Sequence, residues 1–148
     1  MFRALADQDV AYGVFGGIAL ALHGLPRATA DVDLFLEATP DNVERLKRAL
    51  HQLWDDPHID EISAEDLCGD DPAVGYYPPS GFFIDMVTRL GTAFTWRDLE
   101  IEERSFDGAP VRVVSARTLW RMKRNTARPM DRLDAALLAR RFGFAEES

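Results

Sequence analysis

The sequence predicts a mixed-sheet α/β (α+β) fold flanked by helices, and three observations carry that expectation. Apolar runs of strand length alternate with stretches of helical periodicity instead of separating into blocks. Asp107-Gly108 lies between two strand-like runs, Leu99 to Ser105 and Val111 to Val114, as a hairpin signal. Two helices with clear start signals, Ser115 and Pro129, close the sequence. At 148 residues, 47% hydrophobic and 28% charged, the chain has the size and balance of one globular domain, expected to span 1–148.

The elements follow in order. Val10 to Phe15 reads as a short buried strand ending at Gly16-Gly17, and Ile18 to His23 as a helix stopped by Gly24 and Pro26. Val32 to Leu36 is a second apolar strand between acids. Thr39 is an N-cap with Pro40 at the first helical position, and Val43, Leu46, Leu50 and Leu53 recur at helical spacing. Residues 55–80 carry eight acids and no Lys or Arg, with Pro72, Pro78 and Pro79 near the end. They read as an irregular solvated segment with one short helix around Ser63 to Leu67, because no spacing matches a compact cation loop. Phe82 to Val87 returns to strand composition with Asp85 embedded in it. Ser115 caps a helix to about Arg124, and Pro129 opens the last one, to about Phe142, ended by Gly143.

Composition removes several classes of function. The longest uncharged stretch, Val10 to Leu22, is too short to span a bilayer and is broken by glycines. The first ten residues carry two acids where a secretory signal would be apolar, so a cytoplasmic protein is expected. Cys68 is the single cysteine, which excludes an internal disulfide and a thiolate zinc site. The net charge is −8, but residues 111–148 hold nine Lys/Arg against four Asp/Glu. An acidic chain is poorly suited to binding along nucleic acid, whereas its basic end suits a polyanion such as a nucleoside triphosphate or simply decorates helix surfaces.

The chemistry concentrates between Phe15 and Leu34. Side chains two apart on a strand share a face, so Asp31 and Asp33 aim two carboxylates at one point while Val32 and Leu34 bury on the other side. Converging carboxylates suit Mg²⁺, a hard cation that keeps positions for water and phosphate oxygen. Gly16-Gly17 before a helix lets backbone amides approach a phosphate closely. Asp85 lies in an otherwise apolar strand, where a charge needs a cation, a hydrogen-bond set or an ion pair such as one to Arg89.

Gly-Gly, then Asp-x-Asp, then a later strand acid resembles the nucleotidyltransferase superfamily with the DNA-polymerase-β palm fold. The run from Gly16 to Leu34, with Phe83-Ile-Asp85 and the stretch Leu119 to Asp134, is similar to small bacterial nucleotidyltransferase-like proteins related to abortive-infection and toxin–antitoxin transferases. The resemblance implies a nucleotidyltransferase fold with its carboxylates on one face of the sheet. It makes Gly16 and Gly17 the phosphate-contacting turn, Asp31 and Asp33 metal ligands, and Asp85 the third carboxylate, activating the attacking hydroxyl. Two Mg²⁺ ions would clamp the entering and leaving oxygens, and a nucleoside monophosphate would pass from NTP to a hydroxyl with release of pyrophosphate.

Arg27 and Thr29 match the family pattern and either contact phosphate or brace the loop. Lys123, with Arg124 and Arg128, either neutralises triphosphate charge or pairs with Asp131 or Asp134 to pin the helices. His23 reads as a structural histidine, Trp120 and Met122 as core, and Tyr76-Tyr77-Pro78-Pro79 as a packed aromatic turn in preference to a base-stacking one. The acceptor is open between a protein, a tRNA end and a small molecule. The alternative to an enzyme is a non-catalytic or partner-regulated subunit of a toxin–antitoxin-type system.

Overall fold

A six-stranded mixed sheet organises the chain in a computed structural model that describes residues 1–25 and 27–145. Its strands are β1 (Tyr12–Phe15), β2 (Asp31–Leu36), β3 (Ala73–Tyr76), β4 (Phe83–Val87), and β7 and β8 (Ile101–Phe106 and Ala109–Val114), in the order β3-β4-β2-β1-β8-β7. β2 runs parallel to β4 and β1 parallel to β8, while the other neighbours are antiparallel. A separate two-stranded ribbon, β5 (Arg89–Leu90) and β6 (Phe94–Thr95), follows β4. The helices are α1 (Phe2–Asp7), α2 (Gly16–Leu22), α3 (Pro40–Leu53), α4 (Ala64–Leu67), α5 (Ala116–Arg124) and α6 (Pro129–Phe142).

Local signals place the ends of these elements. Thr39 accepts from the Asn42 amide at 3.2 Å with Pro40 in the first turn of α3, and Ser115 accepts from the Thr118 amide at 3.1 Å to start α5. Gly143 takes the left-handed conformation, φ 74°, that ends α6. Asp107 and Gly108 both have positive φ, 52° and 78°, which is the two-residue turn that matches strand twist between β7 and β8. Buried Asn42 accepts from the Ala11 amide at 2.7 Å and donates to the Ala11 and Glu37 carbonyls, so α3 closes the ends of β1 and β2 with side-chain bonds.

Alternation along the strands sorts the two faces of the sheet. Val32, Leu34 and Leu36 of β2 and Ile84 and Met86 of β4 join Val43, Leu46 and Leu50 of α3 in one buried core. Each such side chain, fully buried, contributes about 1.5–3 kcal/mol. The other face of β2 carries Asp31, Asp33 and Phe35.

Residues 55–80 hold more regular structure than their composition suggests. They form a 3-10 turn (Pro57–Glu61), the short α4 capped by Ser63, and the edge strand β3. Tyr76 ends β3 inside the core, where its hydroxyl donates to Asp56 at 2.7 Å, and Tyr77 stands 79% exposed against the ring of Phe83. His23 is buried and its Nε2 donates to the Val114 carbonyl at 2.9 Å, a structural role as expected, and Trp120 is core. No helix among the described residues is long and apolar enough to cross a membrane.

Candidate active site

The parallel register of β2 and β4 sets Asp33 directly opposite Asp85, with Asp31 two residues upstream on the same face. On its other side Asp33 pairs with Phe15, the last residue of β1, so the chain turns into Gly16 beside the Asp33 carboxylate. That position requires glycine for two reasons. Gly16 has φ 72°, and a Cβ there would run into Asp33 Oδ2. Gly17 packs less tightly, against Thr29, where a Cβ would stand 3.0 Å from the threonine Cβ. Thr29 braces the start of β2: its hydroxyl accepts from the Asp31 amide at 3.2 Å and donates to the Asp31 carbonyl at 3.1 Å.

Burial and like charge act together on these acids. Burial first, then Asp85, then Asp31 push the Asp33 carboxyl up to about 6, against an opposing pull from Lys123. Asp85 is also raised, by burial and then by Asp31. Arg89 is exposed in β5, and no ion pair joins it to Asp85 among the described residues. Among the described residues no group of three or more His, Cys, Asp or Glu side chains is gathered closely enough to hold a metal ion. Along this face Asp31 and Asp85 both act on Asp33, and Asp31 acts on Asp85.

Opposite the acids, α5 and α6 form a second wall with a different electrostatic character. Lys123 of α5 donates to Asp131 at 3.2 Å and to Asp134 at 3.1 Å, and Arg27 pairs with the second oxygen of Asp134. Thr126 donates to Asp131 at 2.9 Å. Lys123 thus pins the helices, the second of its two alternatives, and it also lies close enough to act on Asp33.

Between the walls lies a cleft of about 1010 Å³, at the upper end of the range for small-molecule sites. Gly16, Gly17, Arg27, Thr29, Asp31, Asp33, Asp85 and Lys123 all line it, as do Arg124 and Arg128. Every residue singled out as a principal site candidate in the sequence therefore borders one space. Tyr76 and Tyr77 do not. Sequence reasoning did not find the contribution of the β5–β6 ribbon, whose Leu90 and Phe94 form an apolar part of the lining with Met122 and Met130. Two-residue strands carry no periodicity that would reveal them. It also named Asp134 only as a pairing partner and missed that one buried carboxylate holds two bases.

No family model matches the chain, and no curated protein matches it by sequence. Solved structures do match. A candidate nucleotidyltransferase from Thermotoga maritima aligns over 95% of this chain and 86% of its own, at 12% identity and a TM-score of 0.55. ANT(2″)-Ia, solved with adenylyl-2″-tobramycin, aligns over 95% of this chain and 84% of its own at 15% identity and a TM-score of 0.55. An antigenic nucleotidyltransferase-like protein from Paracoccidioides brasiliensis covers 92% and 70%, at 14% identity and a TM-score of 0.50. The chain has a nucleotidyltransferase-like fold, and its mixed α/β architecture is that of these neighbours.

Proposed function

We propose that residues 1–148 act as one cytoplasmic nucleotidyltransferase unit that moves a nucleoside monophosphate from an NTP to a hydroxyl acceptor. The observation that carries this reading is the register that sets Asp33 opposite Asp85, with Asp31 on the same face and Arg27 and Lys123 across the cleft. The acceptor hydroxyl oxygen forms a bond to the α-phosphorus, the bond from that phosphorus to the α–β bridging oxygen breaks, and pyrophosphate leaves. Asp85, directly opposite Asp33, takes the hydroxyl proton. The Gly16-Gly17 turn brings the backbone against the triphosphate, and Arg27 and Lys123 draw off its charge.

Asp31, Asp33 and Asp85, which share one face without forming a ready-made cation site, are the residues that would hold Mg²⁺. Their donor set is carboxylate oxygen only, which fits a hard cation, and their mutual repulsion is what such a cation relieves. Bound there, Mg²⁺ supplies charge neutralisation on the phosphates and a more acidic acceptor hydroxyl. The acceptor belongs to one of three classes: a protein, a tRNA end or a small molecule. Adenylyl-2″-tobramycin in the ANT(2″)-Ia structure gives the small-molecule class a precedent on this fold.

The test is transfer of label from each α-labelled NTP, with Mg²⁺, into bacterial lysate separated into protein, RNA and small-molecule fractions. Label in one fraction, lost in Asp31→Asn/Asp33→Asn, is the expected result and names the acceptor class. Equal labelling by wild type and variant would overturn the assignment of the acids.

A further inference from the structure

The residue that organises the cationic wall is an acid. Asp134 is 3% exposed, on the inner face of α6 beside Ala135 and Leu138. One of its oxygens takes Arg27 and the other takes Lys123 at 3.1 Å. The two bases come from separate parts of the chain, Arg27 from the connection between α2 and β2 and Lys123 from α5. Nothing in their own backbones would hold them side by side. An unpaired carboxylate at this depth is costly, so the pairing fixes both bases strongly.

What the pairing leaves over is informative. An ammonium has three N–H donors, and Lys123 gives two of them to Asp131 and Asp134. A guanidinium has five, and Arg27 uses one nitrogen on Asp134. Both side chains line the cleft, and Lys123 acts on Asp33 across it. The same connection is tied to α6 a second time, where Arg141 Nε donates to the His23 carbonyl at 3.0 Å. The last helix therefore sets the loop that leads into Asp31.

We propose that Asp134 is a positioning residue: from the α6 wall of the cleft it holds Arg27 and Lys123 as one cationic pair, with their remaining N–H donors presented to the phosphate oxygens of the NTP. The proposal rests on the nucleotide reading above and adds a residue whose part is played through the two bases it holds. Preset donors need no reorganisation when the phosphates arrive. Asp134→Asn keeps the shape of the side chain and removes the charge that gathers the pair.

The test uses inorganic tripolyphosphate as probe, measured by calorimetry with the whole chain, alongside label transfer. Asp134→Asn is expected to weaken tripolyphosphate binding about tenfold, and to weaken it no further in an Arg27→Ala/Lys123→Ala background. Asp134→Glu should fall between wild type and Asp134→Asn, with KM for NTP raised more than kcat is lowered. Binding by Asp134→Asn as tight as wild type, or tighter, would overturn the proposal, since Asp134 would then compete with phosphate for the bases. A loss of equal size in the double-variant background would also overturn it, as a general structural effect. Should Asp134→Asn not fold, Asp134→Glu decides: weaker binding at an unchanged melting temperature supports positioning, and wild-type affinity refutes it. A wild type that binds tripolyphosphate but transfers no label defeats the transferase reading and leaves the positioning role intact. A wild type that binds neither defeats both.

Discussion

Two groups of acids border one cleft, and the fold treats them in opposite ways. Asp131 and Asp134 on α6 are saturated by Lys123, Arg27 and Thr126. Asp33 and Asp85 stand opposite each other on β2 and β4 with Asp31 alongside, and the carboxyls of both Asp33 and Asp85 are pushed up by burial and by their neighbours. The first group is matched internally and holds two walls together. The second is held under repulsion, which a fold tolerates where a ligand supplies the missing charge.

If that contrast is right, removing an acid from each group has opposite consequences. Asp134→Ala strands Arg27 and Lys123 and opens the α6 wall, and it should cost about 3 kcal/mol of unfolding free energy in urea at neutral pH. A loss below about 1 kcal/mol would mean that the α6 network is surface decoration. Gly16→Ala comes next, at about 1–3 kcal/mol, because it strains a positive-φ residue and forces the Asp33 carboxylate aside. The same variant should lose the nucleotide transfer proposed above while its far-UV circular dichroism stays that of wild type.

Asp33→Asn should move stability the other way, by about 1 kcal/mol upward in EDTA once partial exposure is discounted. The sign follows from proton uptake. The folded state holds the Asp33 proton up to about 6, the unfolded chain releases it near 3.8, and so rising pH favours unfolding across that interval. The advantage of Asp33→Asn should therefore vanish near pH 4 and be complete above pH 6. A constant difference between the two proteins across that range would break the contrast.

The smallest effect belongs to a buried acid outside the cleft. Hydrogen bonds from the Tyr76 hydroxyl and then the His58 amide hold the Asp56 carboxyl below its usual range. Its stabilisation is present above the ordinary Asp value and is lost as pH falls through the lowered one. Acid unfolding of Tyr76→Phe should accordingly show a shallower loss of stability below pH 4 than wild type does.

The parts of the molecule legible in the sequence are those decided by neighbours in the chain. Thr39 with Pro40, Ser115, Asp107-Gly108 and Gly143 all mark their turns and helix ends through local backbone chemistry, and each does so in the structure. The shared face of Asp31 and Asp33 was legible for the same reason, because alternation along one strand sets it, whereas the meeting of Gly16 with Asp33 depends on β1 pairing with β2. β3 escaped because Ala73 and Gly75, on either side of Val74, have little strand character of their own and acquire it by pairing with β4. Gly75 there leaves room for the ring of Phe83. The Arg27–Asp134 pair was out of reach as a specific contact, since several bases and two acids in the sequence offered the same chemistry and only the packed helices choose among them.

The pair that closes the cleft joins residues 107 positions apart, and the parallel pairing of Val14 with Val113 joins the same two ends of the chain. A ribosome therefore extrudes the three carboxylates well before the helices that oppose them. The emerging chain carries the acids with nothing to present a phosphate to them, and the cleft comes into being only as synthesis reaches α6. The order of translation thus makes the closing of this cleft wait for α6, which follows all six strands of the main sheet along the chain.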